Sequence, residues 1–136
     1  MTDAPAKHLP RPTPETEVYW EGCRKHELLL QRCTKCREFQ FYPRITCTNC
    51  TSENLEWVKA SGRGQVLTFA VVRRAVSQAY DADVPYVVAL IKLDEGPTMM
   101  SNVVQCDPEA LQIGDLVQVL FEDWSEDVSI PQFRPV

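Results

Sequence analysis

Two histidines in 136 residues leave little material for nucleophilic catalysis, because a serine or cysteine nucleophile needs a base within hydrogen-bond reach. Neither His8 nor His26 lies near a strand-to-helix elbow, and no hydrolase triad is legible. A phosphate-binding loop is missing too: Gly62-Arg63-Gly64 is too short and runs into a strand where such loops run into a helix. No apolar run approaches the ~20 residues that cross a bilayer. The first fourteen residues hold four of the ten prolines and nothing resembling a signal peptide, so 1–13 reads as a flexible arm and the protein is expected in the cytoplasm. Internal repeats and low-complexity tracts are lacking as well. Positive charge is scarce in one half only. Residues 1–60 carry nine Lys/Arg against eight Asp/Glu, whereas residues 61–136 carry five against eleven, which places −6 of the total −5 in the second half. Arg63, Arg73, Arg74, Lys92 and Arg134 are too few to line a groove for a polyanion. Asp81, Asp83, Glu122 and Asp123 read as solvated loop and strand-end residues, not as an acid–base pair.

What the chain does have is sulfur. Four of its six cysteines form two Cys-x-x-Cys pairs, Cys33/Cys36 and Cys47/Cys50, separated by ten residues. Each pair offers two sulfurs from one tight turn, and the intervening hairpin sets their separation, which suits the tetrahedral preference of Zn²⁺ for four soft ligands. A redox dithiol would place one pair at a helix start inside a βαβ unit. Two disulfides would suit an oxidising compartment. The spacing favours a single structural zinc on Cys33, Cys36, Cys47 and Cys50, with no position left open for catalysis. Lys35 and Arg37 stand where they can offset the charge of four thiolates. Such sites bind with about 10 kcal/mol or more, so metal should decide whether residues 28–59 fold. Cys23, Cys106 and His26 read as packing residues.

Around the cysteines the pattern is mainly β. Thr13 is placed to cap a helix beginning at Pro14, with Glu15 and Glu17 in its first turn. Val18, Tyr19, Gly22, Cys23 and His26 mark one side of that helix to about residue 27. Short strands are predicted over 28–31, 38–42 and 55–59. A turn-rich stretch at 60–64 joins this 14–60 helix-and-ribbon unit to a 61–136 unit with strands over 65–74, 86–93, 98–104, 116–123 and 132–134. Residues 94–97 form a tight hairpin turn, and 107–111 one helical turn. Five strands with a short helix before the fourth predict an oligonucleotide/oligosaccharide-binding (OB) barrel.

These features resemble a bacterial and archaeal family of OB-fold proteins with an N-terminal rubredoxin-like zinc ribbon, filed as a domain of unknown function, whose members accompany thiolase-like proteins. The resemblance runs from Tyr19 to Pro135. It is carried by Tyr19-Trp20-Glu21-Gly22, by Leu28-Leu29-Leu30-Gln31-Arg32-Cys33-Thr34-Lys35-Cys36, by Phe41-Tyr42-Pro43-Arg44, by Cys47-x-x-Cys50, by Ser61-Gly62-Arg63-Gly64-Gln65-Val66, and by Pro131-x-Phe133-x-Pro135. Cys23 departs from it where a larger apolar residue is usual, and Glu38 where an aromatic or small residue is. The resemblance implies a non-catalytic subunit of a thiolase or a retro-aldolase acting on acyl-CoA thioesters, including steroid side chains, in a complex with two copies of each chain. It also implies that the helix and ribbon border a CoA passage and that the barrel contacts the partner. Val18, Tyr19 and Trp20 suit either a docking surface or packing on the chain's own ribbon. A ribbon-plus-barrel chain also invites a different class of function, single-stranded nucleic-acid binding, which the acidic second half opposes. The basic residues of the ribbon leave open a small anion such as a nucleotide diphosphate.

Overall fold

The computed structural model describes residues 7–136. The expected flexibility of residues 1–6 falls outside the described residues. Lys7 pairs with Asp83 at 2.9 Å, and His8 N donates to the Tyr80 hydroxyl at 3.3 Å. The chain then turns at Thr13, whose carbonyl accepts from the amides of Thr16 and Glu17, both at 2.9 Å. The helix α1 spans Glu17–Arg24, starting three residues after Pro14 because Thr13 and Thr16 close a separate turn through the Thr13 amide and the Thr16 hydroxyl, 2.8 Å apart. It also ends early. The amide of His26 donates to Cys23 O at 2.9 Å and that of Glu27 to Gly22 O at 2.8 Å, with His26 at φ +61°. These two bonds and the left-handed residue make a Schellman stop, here with histidine in the place glycine commonly takes. Gly22 faces Leu29 so closely that a Cβ would lie 2.7 Å from Leu29 Cδ1.

The ribbon sheet has the order β2-β1-β3, with β1 at Leu29–Cys33, β2 at Phe39–Gln40 and β3 at Leu55–Lys59. Both pairings are antiparallel, with Gln31 opposite Gln40 on one side and Trp57 on the other. The β2 strand is shorter than predicted because the chain bends away at Phe41 toward Pro43, whose ring supplies no ladder donor.

Five further strands close into a barrel in the order β4-β5-β6-β8-β7: β4 Arg63–Val72, β5 Tyr86–Leu93, β6 Thr98–Val103, β7 Leu116–Asp123 and β8 Ser129–Pro135. Val87, Ala89, Ile91 and Leu93 alternate inward along β5, and Val66, Met99, Val103, Val117 and Phe133 meet them in the core. Phe133 has no exposed surface. Its carbonyl accepts from Val104 N at 2.7 Å, next to the parallel β6–β8 contact that shuts the barrel. At the other seam Arg63, Gly64 and Gln65 pair with Gln118, Val117 and Leu116. Gly64 allows that closure, since a Cβ there would sit 2.6 Å from Lys92 O and 2.8 Å from Ile91 Cγ2. Residues 107–110 form a single turn, closed by Ala110 N on Asp107 O at 2.9 Å. Helix, ribbon and barrel share one apolar cluster, in which Tyr19, Cys23, Leu28 and Leu30 continue the barrel core. No helix among the described residues is long and apolar enough to cross a membrane.

Candidate metal centre and its setting

The two cysteine turns are near copies of each other, offset by fourteen residues. In the first, Cys33 N donates to Glu38 O at 3.0 Å and Arg37 N to Cys33 O at 2.8 Å; in the second, Cys47 N donates to Ser52 O at 2.8 Å and Thr51 N to Cys47 O at 2.9 Å. Arg37 and Thr51 both take positive φ, +67° and +63°. The amide of the second cysteine in each turn points at the sulfur of the first, Cys36 N to Cys33 Sγ and Cys50 N to Cys47 Sγ, both at 3.4 Å. Each turn thereby lifts two sulfurs to one side of its backbone and aims an amide dipole at one of them.

Facing each other, the turns bring the four sulfurs within 4.8 Å of one another, with Cys33 Sγ 3.5 Å from Cys50 Sγ and Cys36 Sγ 3.6 Å from Cys47 Sγ. Disulfide sulfurs stand about 2.05 Å apart, so these are not bonded pairs. Four sulfurs placed tetrahedrally at about 2.3 Å from a zinc ion lie about 3.8 Å apart. The donor set and its spacing therefore fit the metal. Cys33 and Cys47 are buried while Cys36 and Cys50 are half-buried. The backbone amides of Cys36 and Lys35 hold the Cys33 thiol down to about 6, and the Glu38 amide together with Asn49 lowers Cys36. Cys50 accepts from the Ser52 amide, yet burial and its three sulfur neighbours push it up. At Cys33 and Cys36 the thiolate form is thus favoured chiefly by backbone donors.

A polar hub that pattern reading missed supports the second turn. Gln31 and Gln40, both buried, face each other across β1 and β2 with Gln40 Nε2 donating to Gln31 Oε1 at 2.8 Å. Gln31 clamps the Arg44 backbone, donating to its carbonyl and accepting from its amide at 2.8 Å each. Gln40 Oε1 accepts from Thr48 N at 2.9 Å, and its Nε2 donates to Thr46 O at 3.3 Å. The hairpin is thereby tied to the residues on either side of Cys47. Glutamine within a strand carries no signal of such a role, because its partners are backbone groups set by the tertiary path.

The helix meets the ribbon through aromatic edges. Tyr19 packs edge-on against Trp20, Phe41 and Tyr42 at centroid distances of 4.9, 5.6 and 5.6 Å, and Trp20 Nε1 donates to the Tyr42 hydroxyl at 3.2 Å. Burial raises the Tyr19 phenol well above its ordinary value. The three residues therefore divide: Tyr19 packs on the ribbon, Trp20 is half-buried, and Val18 stays exposed. Cys23 is fully buried, and burial raises its thiol to about 12, which agrees with a packing role. His26 differs. Half exposed, it stacks on Phe121 at 5.3 Å and bonds Asp123 at 2.8 Å, joining the helix end to the barrel. Cys106 lies half-buried at the barrel, 3.7 Å from Val103 O.

Comparison with known proteins agrees with this arrangement. Residues 20–56 match a family model described as the ChsH2 rubredoxin-like zinc ribbon domain, and residues 57–122 the ChsH2 C-terminal OB-fold domain. A DUF35 domain-containing scaffold protein of Methanothermobacter thermautotrophicus is 33% identical over 115 residues, covering 83% of this chain and 86% of that protein. The chain belongs to the ChsH2-type DUF35 family. Its ribbon accordingly holds one structural zinc, in the region where the four sulfurs meet. A 3-oxo-4,17-pregnadiene-20-carboxyl-CoA hydratase alpha subunit of Mycobacterium tuberculosis is 31% identical over 126 residues, which is 90% of this chain. The chain spans 40% of the length of the hydratase alpha subunits it matches. Among solved structures, an Ltp2-ChsH2(DUF35) aldolase superposes with a TM-score of 0.84 at 30% identity, over 93% of this chain and 98% of that one.

Proposed function

We propose that this ChsH2-type DUF35 protein is the non-catalytic subunit of a complex in which a thiolase-fold partner cleaves or condenses acyl-CoA thioesters, the steroid side-chain class included. Cys33, Cys36, Cys47 and Cys50 supply the four zinc ligands. The metal holds the ribbon, with α1 packed on it, in the shape that the partner and its acyl-CoA meet, while the reacting groups lie in the partner. We take residues 14–60 as the helix-and-ribbon unit, residues 61–136 as the barrel and two copies of each chain as the assembly. The observation that carries this reading is the superposition along nearly the whole chain on the DUF35 component of an aldolase. The carboxyl-CoA named in the hydratase relative supports the substrate class. Co-expression with a thiolase-like partner protein tests the reading: the two chains should elute together, and removing this one should abolish or sharply lower turnover of an acyl-CoA substrate. Separate elution with a partner fully active alone refutes it.

A further inference from the structure

The barrel has a cavity whose lining contains none of the four ribbon cysteines. It lies where the 73–85 connection and the 124–128 turn come together over the ends of β5, β6 and β8, and Tyr80, Asp83, Tyr86, Asn102, Trp124 and Gln132 line it. In OB barrels the loops after the first and fourth strands flank the ligand face, and these are the corresponding two loops. Nucleic acid does not suit this one. Asp83 and Glu122 supply two negative charges, and the one cation in the lining among the described residues is Lys7, whose ammonium lies 2.9 Å from Asp83 and 3.7 Å from Glu122. Two of the side-chain donors in the lining are already committed. Asn102 Nδ2 is committed to Val87 O at 2.9 Å, and the Trp124 indole N–H to Glu122 at 3.1 Å. Gln132 is only 5% exposed, yet its Oε1 has no donor among the described residues. A buried acceptor without a donor is destabilising, and a donor-bearing ligand that reached it would relieve that cost.

Lys7 indicates what such a ligand looks like. Its ammonium stands 5.1 Å from the Trp124 ring and 6.0 Å from the Tyr80 ring, within the range at which an aromatic face attracts a cation. Partial burial works against its charge, but Asp83 and then Glu122 outweigh that and raise its affinity for the proton. Among the described residues, with Lys7 in place, the lining keeps one uncompensated negative charge, aromatic walls and an unpaired acceptor. We propose that this cavity is a binding site for a primary alkylammonium, carried either by a small amine or by a lysine side chain of another protein, and that Lys7 is a rim group that competes with it. The proposal stands independently of the subunit role above.

The test uses the full, zinc-loaded chain, with the Trp124 indole N–H resonance as reporter. Titrations with n-butylammonium and with Nα-acetyl-lysine methylamide are compared with n-butanol and with sodium chloride at matched ionic strength. Saturable shifts are expected for at least one ammonium and for neither control. Binding should tighten at least threefold in Lys7→Gln, which removes the competing cation, and weaken at least fivefold in Glu122→Gln, where the altered side chain is exposed and leaves folding intact. Response to butylammonium alone assigns the site to small amines, and response to both assigns it to a protein-borne lysine as well. Shifts that the sodium chloride control reproduces, or an affinity unmoved by both substitutions, overturn the proposal.

Discussion

Replacing Gln31 by leucine should weaken zinc binding although residue 31 touches no sulfur. The side chain is 5% exposed and makes three hydrogen bonds at 2.8 Å, to Gln40 Nε2, Arg44 N and Arg44 O. Leucine has similar bulk, so packing changes little and the loss is polar. Arg44 lies beside solvent and recovers water for much of its share. Gln40 Nε2 keeps only the 3.3 Å contact with Thr46 O in a buried setting, and each group so stranded costs about 1–3 kcal/mol. Two groups partly compensated give a penalty of about 2–4 kcal/mol. In a small ribbon that folds with its metal, this penalty falls on metal affinity. At about 1.4 kcal/mol per tenfold, the zinc dissociation constant should rise about 30- to 1,000-fold. Competition with a chromophoric chelator measures this directly, and the barrel amide resonances should stay unmoved because they lie outside the hub. A zinc affinity within threefold of the wild type would refute the coupling between the glutamine pair and the metal.

Three further outcomes follow from the structure. Cys47→Ser should lower bound zinc to well below one per chain and collapse the amide resonances of residues 28–59 while the barrel spectrum persists, as seen by metal analysis and two-dimensional NMR. Gly64→Ala should lower stability by about 1–3 kcal/mol, since overpacking forces the backbone apart where a Cβ would lie 2.6 Å from Lys92 O. Gly96→Ala, at φ +116° with nothing within 4 Å, should cost only the left-handed strain of about 1–2 kcal/mol, and thermal melts of the two variants separate the effects. Asp123 is held below its ordinary value, first by the Ser129 hydroxyl and then by His26. A depressed carboxyl pKa means that the folded state binds fewer protons. The stabilisation is therefore complete above the unfolded value of about 3.9 and lost as pH falls through the lower folded value. Asp123→Asn should flatten that acid limb of the stability profile, and an unchanged limb in denaturant melts between pH 5 and 2 would count against the His26–Asp123 link.

Most of the strand order was legible because alternation and turn residues are local signals. β5 and β7 appear where Val, Leu and Ile alternate between turn residues, and their limits match the expectation at 86–93 and 116–123. Errors arose where long-range pairing overrides propensity. β4 begins at Arg63 rather than residue 65 because Arg63 and Gly64 pair with β7 to close the barrel, although glycine disfavours strands. β8 extends from Ser129 to Pro135, beyond the predicted 132–134, because both prolines lie opposite β7 residues that need no donor from them. The helix ended early at a left-handed histidine, a placement that a helical period continuing to residue 27 does not reveal.

Sulfur spacing, charge asymmetry and strand periodicity are properties of neighbouring residues, so the chain alone determined a zinc-suited cysteine quartet, a β-rich class and an acidic barrel. Only the tertiary structure decided what those features face. It paired Gln31 with Gln40 behind the second cysteine turn, set His26 against Asp123, and gathered Lys7, Trp124 and Gln132 around one cavity. Such contacts can join residues more than a hundred positions apart, as Lys7 and Trp124 are, and nothing in the local sequence encodes which distant side chain arrives there until the barrel has closed.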